Sequence, residues 1–354
     1  MKIKSRQLCF ILIAYTAVTK LLIYPTVLAT FCDRDVLIPA VINFFIEGVL
    51  IWAVSFLCSR TDKTFFELLQ GTIGRIGAKI VYGFFAAFFM LATIIPIFEQ
   101  KLYVHAIFYD TVPSLIVFLP FFVFAVYAGA KNFQNTGRCA DMCLPLFIFT
   151  MLFIFFMSWS EVEWSNLLPM FTTPAQKLFT GAAGSSMRFI EPCWLLMFMG
   201  HFNYRKGDAA RLTLSYVLGA LITLLFLAVF VGIYGDIASS RTFAISRTSI
   251  FFSAIDTIGR IDLIMLYVLE IVMLFAVVLN IQLAVHALKL CTGYENSMVL
   301  SVAVNAALMI VLIVCDNYFH NIQEFYFRWM WIAFLIFGVA IPALSWVLRR
   351  RNER

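Results

Sequence analysis

Gly181-Ala-Ala-Gly-Ser-Ser-Met-Arg-Phe-Ile-Glu-Pro192 is the stretch whose reading decides the fold of this 354-residue chain. It opens an apolar helix with small residues and then places Arg188 and Glu191 inside it, and charges that deep in an apolar span mark function. Asn166-Leu-Leu-Pro169 lies upstream and the apolar Cys193-Trp-Leu-Leu-Met-Phe-Met-Gly200 downstream. A weakly helical first half therefore feeds a strongly helical second half, the pattern of a broken membrane helix. The plainer alternative is an ordinary span whose charge pair is satisfied by its neighbours.

The composition agrees with a membrane setting: 62% of residues are apolar, 13% are charged, and Phe alone occurs 39 times. These values exclude an ordinary soluble domain and predict an all-α polytopic membrane protein, one integral domain over residues 1–354, with the lipid bilayer as its solvent. The net charge of +6 reports topology and not nucleic-acid binding. Met1-Lys-Ile-Lys-Ser-Arg-Gln7 runs into an apolar span with no small-residue cleavage site, so it reads as a retained first helix. The eight cysteines lack companions at metal-ligand spacing and read as small buried hydrophobes. No phosphate-cradling glycine loop, metal cluster or nucleophile elbow is present. The expectation is no enzyme, no catalytic residue, no metal and no cofactor.

A hydrocarbon core of about 30 Å takes about 20 helical residues. Ten spans satisfy that length, at 7–30, 36–58, 79–108, 113–130, 140–159, 181–201, 211–234, 260–289, 297–315 and 325–348. With the N-terminus cytoplasmic, inner segments hold Lys2, Lys4, Arg6, Arg60, Lys63, Arg75, Lys79, Lys131, Arg138, Arg205, Lys206, Arg211, Lys289, Arg349, Arg350, Arg351 and Arg354. These are 17 of the 26 basic residues, so both termini are expected in the cytoplasm. The halves 7–159 and 181–348 also resemble each other. Spans 3 and 8 are the longest and follow polar connectors. Spans 1 and 6 are interrupted by Thr16-Ala-Val-Thr-Lys20 with Pro25 and by Gly184-Ser-Ser-Met-Arg188 with Pro192. Five spans per half reverse direction, which predicts a 5+5 inverted repeat; coincidence among ten apolar runs is the alternative.

Counting depth along each span puts Lys20, Glu47, Arg188, Glu191 and Glu270 near the midplane, where an unpaired charge costs at least ~2.5 kcal/mol. Pairing between these bases and acids lowers that cost and leaves a carboxylate open to proton linkage. Glu99, next to Gln100 and Lys101, counts as a rim residue, and the four histidines fall at span ends as interfacial groups.

Several landmarks resemble the endospore germination permease family, the B subunits of nutrient germinant receptors, within the amino acid–polyamine–organocation superfamily. They are the Asp33-Arg-Asp35 turn after Pro25; the connector Thr64-Phe-Phe-Glu-Leu-Leu-Gln-Gly-Thr-Ile-Gly-Arg-Ile-Gly77; Trp164-Ser-Asn-Leu-Leu-Pro169 followed by Phe189-Ile-Glu191; and Ile245 to Asp262, ending in Arg260-Ile-Asp262. Their order and spacing carry the resemblance over nearly the whole chain. Two departures stand out. Thr16, Thr19 and Lys20 replace the glycines usual in the middle of helix 1, and the Trp usual after Asp262 is absent, with Leu266-Tyr267 nearby. The resemblance implies the leucine-transporter-like fold and a ligand-sensing role in the spore inner membrane. It also implies A-type and C-type receptor subunits as partners. A transporter coupled to protons or sodium and a ligand-blind scaffold subunit are the competing classes.

The expected ligand is a small nutrient, a zwitterionic amino acid, held between the broken segments of spans 1 and 6 with spans 3 and 8 opposite. Backbone N–H groups at Gly184-Ser185-Ser186, read as the start of a half-helix, suit its carboxylate. Carbonyls around Thr16-Ala17-Val18, with Glu191 or Glu270, suit its ammonium. Thr93, Ile97 and Phe189 are the expected side-chain contacts, and Lys20 stands where a coupling cation would sit.

Overall fold

The computed structural model describes residues 2–108, 111–249, 261–344 and 346. Most of the Ile245–Asp262 landmark and the Arg349–Arg351 tail lie outside the described residues. The helices are α1 Ser5–Val18, α2 Tyr24–Cys32, α3 Leu37–Cys58, α4 Phe65–Phe108, α5 Ser114–Gly129, α6 Phe133–Ser158, α7 Ala175–Ser185, α8 Glu191–Phe198, α9 Asp208–Tyr234, α10 Ala244–Ser249, α11 Ile261–Thr292, α12 Ser297–Val314 and α13 Phe319–Phe334. Among the described residues, seven helices are long and apolar enough to cross a membrane, and α1 and α5 are shorter apolar helices. Large apolar side chains such as Phe45, Val123 and Phe156 point outward, as they must where lipid replaces water.

Two interruptions shape the centre. The first separates α1, which ends at Val18, from α2, which restarts with Pro25 in its first turn. The second separates α7, which ends at Ser185, from α8, which restarts at Glu191 with Pro192 in its first turn; a 3-10 turn over Ser186–Arg188 lies between them. Proline fits a first turn because its missing N–H would have no intrahelical partner there. Both breaks fall a few residues later than the sequence expectation, and α7 begins at Ala175 rather than near 181. Thr16, Ala17 and Gly184 therefore belong to helix ends and not to the unwound links.

The long helices form the frame. α11 packs along α4, and α1 packs against α9 and α6. A Cβ on Gly219 of α9 would sit 2.9 Å from both the Ile13 carbonyl oxygen and the Thr16 Cβ, so glycine sets the closeness of that crossing. In α4, Gly74 (φ 78) takes a left-handed conformation that separates the amphipathic connector from the long segment after it.

The ends are tied by hydrogen bonds. On the face that carries the N-terminus, the Ile3 N–H donates to the His201 carbonyl at 2.9 Å, and Gln7 Nε2 donates to Asp141 at 2.7 Å. On the opposite face, Asp35 accepts from the Phe171 and Thr173 N–H groups at 2.8 Å each and from the Thr172 hydroxyl at 3.3 Å. Burial pushes the Asp35 carboxyl up, but these donors outweigh it and hold it below its ordinary value.

Two outcomes follow from this frame. Gly219→Val should destabilise the protein by about 1–3 kcal/mol through overpacking at the α1–α9 crossing, read as a lower melting temperature in detergent. A depressed carboxylate stabilises the fold fully above its unfolded value and less as pH falls through its folded value. Asp35→Asn should therefore lower the melting temperature near neutral pH and flatten the loss of stability below the ordinary aspartate value of 3.8.

Candidate functional site

Helix polarity organises the centre. α1 and α7 both point their C-termini, the negative dipole ends, into the gap, and cations belong there. Lys20 Nζ donates to the Thr16 carbonyl at 3.2 Å, and Arg188 Nη1 donates to the Thr19 carbonyl at 3.4 Å. The N-terminus of α8 is the positive end, and it carries Glu191 itself and a second carboxylate. The Glu191 N–H donates to Glu47 Oε1 at 3.1 Å, while Tyr216 Oη donates to Glu47 Oε2 at 2.7 Å.

Lys20 joins the two breaks. Its ammonium meets Glu191 Oε1 at 2.7 Å, with both side chains fully buried, and it lies 4.6 Å from the Phe189 ring centroid and 5.8 Å from that of Phe44. A buried charge in this setting needs both a counter-ion and hydrogen bonds, and the carbonyl end of α1 supplies the latter.

Of the five midplane charges, Lys20, Glu47 and Glu191 form one contiguous group. Arg188 and Glu270 find other partners. Arg188 forms a two-point pair with Glu99, Nη1 to Oε2 at 3.1 Å and Nη2 to Oε1. Glu99 is therefore a core residue and not a rim one, only 3% exposed. Lys101 is buried likewise and pairs with Asp316. The Gln100 amide, oriented with its nitrogen toward the carboxylate, donates to both oxygens of Glu270 at 2.7 Å. Depth counting misplaced this segment because a count along one helix does not report the partners that neighbouring elements bring to it, here Arg188, Asp316 and Glu270. His201 and His286, expected as solvated or interfacial groups near span ends, pack their rings edge to face at 5.2 Å.

Beside the charge group lies a cavity of about 70 Å³, room for several waters or a small polar ligand. Thr19, Gly184, Ser185 and Arg188 line it, with Tyr15 and Asn280 joined by a hydrogen bond of 2.9 Å. The wall from α4 is Ala92, Ile95 and Pro96, not Thr93 and Ile97; Thr93 turns its hydroxyl back to the Phe89 carbonyl at 2.5 Å. Pro96 cannot donate to the Ala92 carbonyl, which leaves an acceptor in that wall. α13 adds Gln323, Tyr326 and Phe327, a contribution the sequence reading did not anticipate; Pro96 and Asn280, polar or helix-breaking residues inside apolar spans, were the legible signals.

Two expected contacts need correction. Gly184, Ser185 and Ser186 end a half-helix rather than begin one, so they present carbonyls and not free N–H groups. Carbonyls of this helix end are partly engaged: Asn43 Nδ2 donates to the Ala182 carbonyl at 2.9 Å, Ser186 Oγ to the Ala183 carbonyl at 2.7 Å, and the Phe189 N–H to the Ser186 carbonyl at 2.9 Å. Phe189 is fully buried under the Lys20 ammonium and does not line the cavity. On the side away from the N-terminus, Phe31 and Phe327 stack at 3.9 Å. A Cβ on Gly184 would strike the Phe327 ring at 2.3 Å, so this glycine lets the aromatic plate close.

Two interrupted helices around buried charges, in a frame with seven helices long and apolar enough to cross a membrane among the described residues, define a multi-pass helical membrane protein. Residues 2–319 match the family described as spore germination protein, and the chain belongs to that family. No curated protein matches the sequence. Two variants of the Eremococcus coleocola manganese transporter superpose with TM-score 0.56 at 11% identity, over 96% of this chain and 77% of that one. The same transporter bound to an aromatic bis-isothiourea substituted compound gives TM-score 0.54 at 10% identity, with the same coverage. At such identities the likeness is one of fold.

Lys20→Met should cost about 3–5 kcal/mol, because Glu191 and Glu47 stay buried without a cation. The double variant Lys20→Met/Glu191→Gln should recover a large part of that loss, read by melting temperature of the purified protein.

Proposed function

We propose that this chain is the membrane-embedded, ligand-sensing subunit of a spore nutrient germinant receptor. In this reading it is a single integral domain of ten spans, α1 with α2 and α7 with α8 each counting as one interrupted span. The halves form a 5+5 inverted repeat of the leucine-transporter-like kind. It sits in the spore inner membrane with both termini cytoplasmic, beside A-type and C-type subunits that carry the signal onward.

The observation that carries the reading is the cavity at the paired helix breaks. A zwitterionic amino acid fits its chemistry: the carboxylate against Arg188, the only cation in its lining among the described residues, and the ammonium against the Ala92 carbonyl and the carbonyl end of α7. Tyr326, Ile95 and Ile190 then meet the side chain. Lys20, locked to Glu191, occupies the place of a coupling cation, which favours a sensor that does not move its ligand. The second reading, an amino acid transporter coupled to protons or sodium, is favoured by the fold likeness to a transporter.

The test uses the complex purified from spore membranes, where A-type and C-type proteins should co-purify with this chain. Arg188→Gln and Ser185→Leu should each raise the amino acid concentration for half-maximal germination by about tenfold or more, the loss of one charge-assisted contact or of the cavity itself. An unchanged dose response in both, or a lone monomer that responds to ligand, removes the reading. Accumulation of labelled amino acid in vesicles establishes the transporter instead.

A further inference from the structure

A second cavity, of about 330 Å³, lies on the face that carries the N-terminus, between the α5–α6 turn, the segment after α8 and the last turns of α11. It shares no lining residue with the midplane cavity. Lys131, Lys289, His201 and His286 line it together with Asn132 and Gln134, and among the described residues no Asp or Glu does. Glu67 of α4 faces His201 from outside the lining, but its carboxylate is engaged in capping α4, where it accepts the Thr64 N–H at 2.7 Å.

The space has the features of a built site. His286 Nε2 is buried with no hydrogen-bond partner, an omission that costs about 1–3 kcal/mol when nothing fills it. Its ring is fixed by packing, 4.8 Å from Phe133 and 5.2 Å from His201 between centroids. Gln282 preforms the rim: its amide donates to the Lys131 carbonyl at 2.6 Å and its oxygen accepts from the Thr136 hydroxyl, which holds the α5–α6 turn against α11. α6, a helix of 26 residues, begins at this rim, and the Asn132 side chain makes no capping bond to it. Its first-turn N–H groups add positive potential to the same space. Lys131 rests on the Tyr127 ring at 4.1 Å and forms no salt bridge among the described residues, so it can turn inward without breaking one there.

Two ammonium groups, an unpartnered imidazole nitrogen and an uncapped helix start, with no carboxylate among them, call for a compact oxyanion that accepts several hydrogen bonds at once. We propose that this cavity binds a phosphate group, carried either by an anionic lipid headgroup or by a free phosphate. Such a ligand bridges α6, α11 and the end of α8, and so ties one face of the molecule independently of the midplane site.

The experiment uses the full chain in phosphatidylcholine nanodiscs. One arm titrates inorganic phosphate against chloride at equal ionic strength and reads the melting temperature. The other adds phosphatidylglycerol and reads the lipid retained in native mass spectrometry. A stabilising shift with phosphate alone identifies a free anion; preferential retention of phosphatidylglycerol alone identifies a headgroup. Whichever binds, Lys131→Gln/Lys289→Gln should weaken it by about tenfold or more. His286→Phe, which keeps a ring in place and removes the unpartnered nitrogen, should weaken it as well without lowering the melting temperature measured without ligand. No response in either arm, or responses that both variants leave unchanged, overturns the proposal.

Discussion

A lysine ammonium with no access to solvent is the constraint around which the centre of this protein is arranged. Removing such a group from water costs several kcal/mol even after relaxation, and no single neighbour repays that. Lys20 is compensated by a carboxylate at 2.7 Å, a helix-end carbonyl at 3.2 Å and the face of Phe189. Each of these depends on a break. α1 must stop for Thr16 to offer its carbonyl, and α8 must start where it does for Glu191 to stand at a positive helix end. Glu47 and Tyr216 then fasten α3 and α9 to the same point. The interruptions are thus the arrangement that makes a buried charge tolerable.

Membership in a spore germination family and a transporter-like frame establish what kind of molecule this is, whereas what it recognises is a property of its cavities. The two cavities differ in character. The midplane one combines one guanidinium with hydroxyls, amides and apolar walls, while that on the N-terminal face combines two lysines and two histidines with amides and, among the described residues, no carboxylate. The two cavities thus differ in charge and in the hydrogen-bonding groups that line them.

Much of this was legible in the sequence because lipid imposes simple rules: apolar runs of sufficient length, and charges that are rare enough to matter. The breaks near Lys20 and Arg188 were visible from polar and small residues followed by proline. The partners of the charges were not. Arg188 finds Glu99 across the bundle, 89 positions away, and a count of depth along one helix cannot report how far a neighbouring helix is shifted along its axis. Helix polarity at Gly184–Ser186 was misread for a related reason. Small residues signal a weak point in a helix, but whether it is an end or a beginning depends on Pro192, which marks the next start.

The plate formed by Phe31 and Phe327 gives the two faces different kinds of closure. A single stacked ring pair contributes only about 0.5–1.5 kcal/mol beyond its buried area, and side chains of this kind reorient on fast timescales compared with collective helix motion, which takes microseconds to milliseconds. On the N-terminal side, backbone and side-chain bonds from Ile3, Gln7 and Gln282 must all yield together. Separating Phe31 from Phe327 thus asks for one ring contact, whereas separating the elements on the N-terminal side asks for several hydrogen bonds.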